Sequence, residues 1–145
     1  RLRQLDRRVI LVTKVLTVAE LTGLMECCDC FVSLHRAEGF GRGLSEAMSL
    51  GKPVIATAYS GNLDYMNKDN ALLVDYELTP VAPAQYPFGA GQVWAEPDVR
   101  HAALQMRQKP VIHAAHTRTS ATGTLGTSPA WKLAMLIWMR SVTAN

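Results

Sequence analysis

The feature that most constrains the fold is a pair of short apolar strands joined through a glycine-rich loop and a helix. Residues 30–34 read Cys-Phe-Val-Ser-Leu and residues 53–58 read Pro-Val-Ile-Ala-Thr-Ala, which are continuous apolar runs typical of strands buried on both faces. About 18 residues separate the two strands, which is long enough for the crossover that parallel pairing requires. Residues 44–51 have helical apolar spacing and end on Gly51. We therefore expect an α/β fold with a doubly wound parallel sheet and flanking helices.

Weaker patterns predict the remaining elements around this unit. Residues 9–12 and 71–74 have the composition of short strands, and a helix is expected from Val18 behind a Thr17 cap with Glu20 three residues later. Residues 75–97 are rich in Pro and Gly, so we expect an ordered loop there. Its predicted packing anchors are Tyr86, Phe88 and Trp94. A further helix is expected from residue 97 to residue 107.

The chain divides into a body, residues 1–107, and an atypical tail, residues 108–145. The tail contains four basic residues and no acidic residue, and seven of the twelve residues 117–128 are Ser or Thr. Trp131, Met135 and Trp138 share a helical face, which indicates a terminal helix or an exposed apolar segment. We expect the tail to be disordered or read out of frame and not to pack with the body.

Charge and hydropathy exclude two classes of partner. The net charge of +3 arises in the tail, whereas the body has a net charge of −1 and offers no basic field for nucleic acid. No apolar run approaches the roughly 18 residues of a membrane helix.

Three cysteines lie close together in the sequence, at positions 27, 28 and 30. An odd number cannot pair completely in disulfides, and no further ligands follow at the spacing of a zinc site. We expect small buried thiols in a reducing, cytoplasmic protein.

The loop at residues 35–43 lies where α/β sheets bind ligands, at the carboxyl end of a strand. It is not a P-loop, because Gly51-Lys52 is followed by Pro53. It also departs from the dinucleotide fingerprint, because the third glycine position is Leu44. What remains is a glycine loop flanked by two carboxylates, Glu38 and Glu46.

Such a loop can bind an anion, such as a pyrophosphate, beside hydroxyl groups like those of a sugar and a ribose. Gly39, Gly41 and Gly43 allow close backbone approach, and the following helix N-terminus favours a diphosphate. Carboxylates beside it would accept hydrogen bonds from hydroxyl groups, and Arg36 and Arg42 are candidate phosphate partners. The spacing alone equally fits a surface helix that carries a Glu after a flexible turn.

The residues from Ser33 to Asn62 resemble the C-terminal, donor-binding domain of the GT-B glycosyltransferases of family 4. That family carries an E-x7-E motif with glycines between the carboxylates, followed by an E-A-M-x-x-G-x-P-V helix and strand. Glu38 to Glu46 matches the first motif and residues 46–54 match the second. The resemblance extends more loosely over about residues 9–107. It implies a partial, Rossmann-like C-terminal half of a GT-B fold.

The resemblance also implies an activity and a set of site residues. The activity is retaining transfer of a sugar from a UDP- or GDP-sugar donor to an unknown acceptor, with no cofactor and no essential metal. The catalytic candidates are Glu38, which would contact the donor sugar, and His35, which would line the sugar pocket. His35 equally fits a packed histidine at a strand end. The substrate-binding candidates are Glu38, Gly39, Phe40, Gly41, Arg42, Gly43, Leu44 and Glu46.

Departures from the family pattern shape the remaining expectations. The family's phosphate-binding Arg and Lys are not identifiable, and Gly-Gly-x-x-Glu is replaced by residues 60–64, Ser-Gly-Asn-Leu-Asp. We expect a fragment that lacks the N-terminal acceptor domain and is inactive alone. The sequence is expected to contain no transmembrane segment, and peripheral membrane contact stays open for the parent. The alternative is a non-catalytic sugar-nucleotide-binding or scaffold remnant.

Overall fold

The computed structural model describes residues 9–107 and the backbone of residues 134–137. Three helices, six strands and one 3₁₀ turn make up these ranges. In chain order they are α1 Val18–Cys27, β1 Cys30–Ser33, α2 Arg42–Ser49, β2 Val54–Thr57, the 3₁₀ turn Gly61–Asp64, β3 Leu72–Val74, β4 Tyr76–Pro80, β5 Val93–Pro97, α3 Val99–Arg107 and β6 Ala134–Ile137.

The central sheet is parallel, with the strand order β3-β2-β1-β6. In the register of β1 and β2, Val32 lies opposite Ile55. Helix α2 forms the crossover between these two strands, as the spacing of the apolar runs predicts. The α/β fold with flanking helices is thus confirmed. The carboxyl ends of β1 and β2 lie at the same edge of the sheet, and the segments that follow both strands meet there.

Side chains that alternate along β1 and β2 form two hydrophobic layers. Phe31 packs with Met25 of α1 and with Leu44 of α2 on one face. Val32 and Ile55 pack with residues of β3 and α3 on the other face. Because both faces of these strands are covered, residues that point to either face are buried, which explains the continuous apolar runs.

Helix α1 begins as the sequence predicts. The Thr17 hydroxyl accepts a hydrogen bond from the Glu20 N–H at 3.2 Å, and the Glu20 carboxylate accepts one from the Thr17 N–H at 2.9 Å. This reciprocal pair satisfies two backbone donors at the helix start. Helix α2 is followed by Gly51 with a φ of +69°, as expected for a terminating glycine.

Two predictions for the body are wrong. Residues 9–12 form no strand, and their side chains are exposed. Residues 75–97 contain an antiparallel hairpin, β4 with β5, where the sequence predicts an ordered loop without strands. Trp94 is buried in it as expected, but Tyr86 and Phe88 near its tip are exposed and anchor nothing.

The tail differs from the sequence-based expectation where the structure describes it. Residues 134–137 form β6, which pairs in parallel with β1, with Cys30 opposite Ala134. The predicted helix is therefore wrong for these four residues, and they join the sheet rather than lie apart from it. The proposed boundary at residue 107 and the rest of the tail lie outside the described residues.

The cysteines are thiols, with Cys28 and Cys30 buried and Cys27 exposed. Burial, reinforced by the nearby Cys28 and Asp29, raises the pKa of the Cys30 thiol to about 12. The expectation of buried cysteines thus holds for two of the three. No helix within the described ranges has the length and apolar character to cross a membrane.

Candidate functional site

The candidate site lies at the carboxyl edge of the sheet, where the chain after β1 meets the chain after β2. The first contribution is the glycine loop, residues 38–41, which leads into α2. The second is the segment Ser60–Tyr65, which we call the clamp segment. The loop is the predicted ligand-binding element, and the clamp segment lies behind it.

The clamp segment contacts four consecutive carbonyl groups of the glycine loop. The Glu38 carbonyl accepts hydrogen bonds from the Ser60 hydroxyl at 2.7 Å and from the Gly61 N–H at 3.2 Å. The Tyr65 hydroxyl lies 2.8 Å from the carbonyl oxygens of both Phe40 and Gly41. The remaining carbonyl, that of Gly39, faces the α-carbon of Gly61. A Cβ added to Gly61 would lie 1.6 Å from the Gly39 carbonyl oxygen.

This arrangement fixes the direction of the loop amides. In a trans peptide unit the carbonyl oxygen and the following N–H point in opposite directions, and no cis bond occurs in the described chain. The N–H groups of Gly39, Phe40, Gly41 and Arg42 therefore point away from the clamp segment. We call these four groups the amide cradle. No described residue accepts a hydrogen bond from the N–H groups of Gly39, Phe40 and Gly41. The N–H of Arg42 lies in the first turn of α2, where backbone N–H groups have no acceptor within the helix.

The fold requires glycine at two positions of this site, and at a third position it leaves room for a side chain. At Gly41 the φ is +81°, and a Cβ would lie 2.7 Å from the Tyr65 hydroxyl oxygen. At Gly61 the approach of the Gly39 carbonyl excludes any side chain. At Gly39 a Cβ would meet nothing within 4 Å, so the fold leaves open space on that side of the loop.

The two carboxylates of the E-x7-E spacing flank the amide cradle. Glu38 precedes it and is half-buried, and no described residue donates a hydrogen bond to its carboxylate. Glu46 lies one turn into α2, where its Oε1 accepts a hydrogen bond at 2.9 Å from Nε of Arg42. The Arg42 side chain is 85% exposed, so this ion pair contributes little to stability.

His35 lies at the carboxyl end of β1 and is buried. Its Nε2 is 3.1 Å from the Tyr59 carbonyl oxygen and 3.2 Å from Oδ1 of Asn62, and its Nδ1 is 3.3 Å from the Ser33 hydroxyl. Because Nε2 faces two acceptors, it carries the ring proton, and Nδ1 accepts from Ser33. Both ring nitrogens are engaged, so the geometry is that of a packed histidine that joins the two loops.

Asn62 is the member of this network that sequence reasoning missed. It is fully buried, and its amide donates to the Thr57 carbonyl at 3.1 Å while its Oδ1 accepts from His35. It therefore ties the clamp segment to the ends of both β1 and β2. The replacement of Gly-Gly-x-x-Glu by Ser-Gly-Asn-Leu-Asp was the available signal, but only the tertiary structure shows what these residues contact.

Two predicted site residues have a structural role. The Leu44 side chain is buried in the core against Phe31, so only its backbone is available to a ligand. Arg36 forms an ion pair with Glu96 at 2.7 Å, and its guanidinium stacks 4.3 Å above the Trp94 ring. These contacts attach the β4–β5 hairpin to the chain after β1.

The other predicted residues lie together around the amide cradle. Phe40 is 58% exposed, and its ring centroid lies 5.1 Å from that of Tyr65. Gly43 lies in the first turn of α2. Among the described residues no group of three or more His, Cys, Asp or Glu side chains could hold a metal ion.

Comparison with known proteins identifies the family of this chain. The family model described as glycosyl transferases group 1 matches residues 1–85, which span β1, the glycine loop, α2, the clamp segment and the start of the hairpin. No curated protein and no solved structure matches the chain. The family match covers more than half of the chain and supports the architecture of a GT-B C-terminal domain. The chain belongs to the glycosyl transferases of group 1.

Proposed function

We propose that this domain binds the nucleotide-sugar donor of a retaining glycosyltransferase, with a UDP- or GDP-sugar as the donor. The observation that carries the proposal is the amide cradle between Glu38 and Glu46. Four outward N–H groups and a helix N-terminus form a site for the diphosphate. The carboxylates on either side would accept hydrogen bonds from hydroxyl groups, which a sugar nucleotide carries at both ends.

Each carboxylate has a distinct role in this proposal. Glu38 accepts hydrogen bonds from the donor sugar, because its carboxylate has no described donor. Glu46 accepts from the ribose, and Arg42 exchanges its bond to Glu46 for a contact with the diphosphate. Gly39 contributes the open space beside the loop through which the donor approaches. The backbone of Phe40, Gly41, Gly43 and Leu44 completes the donor-binding surface.

Among the two predicted catalytic residues, Glu38 is the one that contacts the donor. His35 acts through the backbone, because its ring nitrogens are engaged by Ser33, Tyr59 and Asn62. It holds the end of β1, from which the glycine loop begins, against the clamp segment. A direct role of His35 in the sugar pocket would require one of these bonds to break.

The proposal includes metal-independent binding, because the amide cradle and Arg42 supply the positive potential that a diphosphate needs. It includes a cytoplasmic location and an acceptor bound outside the described residues, with no role for nucleic acid. Transfer itself is assigned to the parent enzyme, and the isolated chain is expected to bind a donor weakly without turnover.

The test is a titration of the ¹⁵N-labelled full chain with UDP, GDP, UDP-glucose and GDP-mannose, with and without EDTA. We expect the amide signals of residues 39–42 to shift in EDTA with at least one nucleotide. Glu38→Gln should weaken binding of the nucleotide sugar by about 10- to 150-fold, since a hydrogen bond to a charged group contributes roughly 1.5–3 kcal/mol. UDP or GDP alone should bind Glu38→Gln as well as wild type.

Glu26→Gln provides the matched control. Glu26 is an exposed carboxylate at the end of α1, next to the amino end of β1 and therefore at the opposite edge of the sheet. This variant should bind every nucleotide as wild type does. Shifts confined to residues outside 38–46, or binding that requires a divalent cation, would contradict the proposal.

A non-catalytic role remains the second candidate, and one observation favours it. Arg36, a predicted phosphate partner, is held by Glu96 and Trp94 instead of facing the amide cradle. A full-length parent that binds the donor and neither hydrolyses it nor transfers its sugar to any acceptor would establish this alternative.

A further inference from the structure

We propose that Tyr65 is a positioning residue whose hydroxyl holds the amide cradle in its ligand-binding orientation. The inference rests on the proposed function for its ligand, but its structural basis is independent of any donor. No predicted site residue lies in the clamp segment, so this assigns a role to a second loop of the site.

One hydroxyl contacts two consecutive carbonyls. The Tyr65 oxygen lies 2.8 Å from the Phe40 oxygen and 2.8 Å from the Gly41 oxygen, and a phenol has one proton to donate. The proton is thus shared between the two carbonyls. Because each carbonyl is opposed to the next N–H, the Tyr65 hydroxyl orients the amide of Gly41. The amide of Arg42 is oriented jointly by Tyr65 and by the Ser45 N–H, which donates to the Gly41 carbonyl at 3.0 Å.

Three further contacts show that Tyr65 is itself held in place. Its ring packs against Phe40, its backbone carbonyl accepts a hydrogen bond from the Asn70 amide at 2.9 Å, and its N–H donates to the Asn62 carbonyl. Burial, followed by the nearby negative charge of Glu38, raises the pKa of the Tyr65 hydroxyl. The hydroxyl therefore retains the proton that both carbonyls require.

Apart from the clamp segment, the described chain supports the carbonyls of the glycine loop at Gly41, which accepts a hydrogen bond from the Ser45 N–H at 3.0 Å, and not at Phe40. Gly41 has a φ of +81°, and glycine lacks the side chain that would restrict its backbone. Without the Tyr65 hydroxyl, the peptide units after Phe40 and Gly41 lose their partner on the clamp side. The amide of Gly41 would then sample several directions, and binding would require that it be ordered again.

The test compares the full-length chain with its Tyr65→Phe variant in two measurements. The first needs no ligand: the ¹⁵N order parameter of Gly41 should fall from the rigid range, about 0.85, to below about 0.6 in the variant, with smaller changes at Gly39 and Arg42. The second is the dissociation constant for UDP and for pyrophosphate, which should rise by about three- to tenfold, the range of one hydrogen bond.

Two further variants make the result specific. Tyr86→Phe removes a hydroxyl from an exposed tyrosine near the hairpin tip and should change neither measurement. Ser60→Ala removes the 2.7 Å bond to the Glu38 carbonyl and should loosen Gly39 more than Arg42. It also tests the clamp segment if Tyr65→Phe does not fold.

The outcomes separate this inference from the proposed function. Unchanged order parameters in Tyr65→Phe, or equal changes in Tyr86→Phe, would overturn the positioning role whatever the chain binds. If wild type binds neither UDP nor pyrophosphate, the proposed function fails, while a loss of order confined to the glycine loop still supports the role of Tyr65.

Discussion

Replacing Gly61 by alanine should displace the glycine loop without disturbing the sheet. An ideal Cβ at Gly61 would lie 1.6 Å from the Gly39 carbonyl oxygen and 2.7 Å from the Gly39 carbonyl carbon. Gly61 does not have a positive φ, so alanine is compatible with its backbone conformation. The effect of the substitution is therefore a steric contact with one carbonyl group.

The structure sets the size of the required movement. Real Cβ atoms essentially never approach other heavy atoms within 3.0 Å, so the Gly39 oxygen and Gly61 must separate by at least 1.4 Å. That separation also lengthens the bonds from Ser60 and Gly61 to the Glu38 carbonyl. We expect the free energy of unfolding to fall by about 1–3 kcal/mol, as for overpacked sites, and the amide signals of residues 39–42 to move.

Urea denaturation and ¹⁵N–¹H spectra measure the two effects. Gly23→Ala is the control, because Gly23 lies inside α1 with nothing within 4 Å of its Cβ position. It should raise the unfolding free energy by about 0.5–1 kcal/mol through helix propensity alone. Gly61→Ala with wild-type loop signals and wild-type UDP affinity would refute the contact between the clamp segment and the glycine loop.

Three further predictions concern the capping box, the thiols and the ion pair of α2. Thr17→Ala should lower the free energy of unfolding by about 1 kcal/mol in urea denaturation, because it removes the cap of α1. Burial raises the pKa of Cys30 to about 12 from a usual value of 9, so the unfolded state loses the proton first as pH rises. Stability should therefore decline between those values in wild type but less in Cys30→Ala, as followed by urea denaturation at stepped pH; equal declines would show that another group is responsible. Arg42→Ala should change stability by less than about 0.5 kcal/mol while weakening UDP binding, and unchanged affinity would remove Arg42 from the diphosphate contacts.

The sequence by itself determined the parallel sheet and the position of the glycine loop that forms the candidate site. All eight residues of β1 and β2 are buried and six of them are apolar, with Ser33 and Thr57 as the polar residues at the strand ends, because strands covered on both faces leave no place for alternating polar residues. The distance between them dictated a crossover, and the glycines and carboxylates in it identified the family that the family model confirms. The start of α1 could also be predicted from the sequence, because the capping box at Thr17 involves residues only three positions apart.

Only the tertiary structure decided the features that depend on contacts between distant segments. Residues 9–12 and 134–137 are both apolar, but only the second segment pairs as a strand, at the edge of β1, because pairing depends on contacts with a distant segment that composition does not fix. Arg36 looked like a phosphate partner by position, but Trp94 and Glu96, nearly 60 residues later, hold its side chain. Likewise, the direction of the amide cradle is set by Ser60, Gly61 and Tyr65, since a flexible glycine loop has no preferred direction until another segment binds its carbonyls.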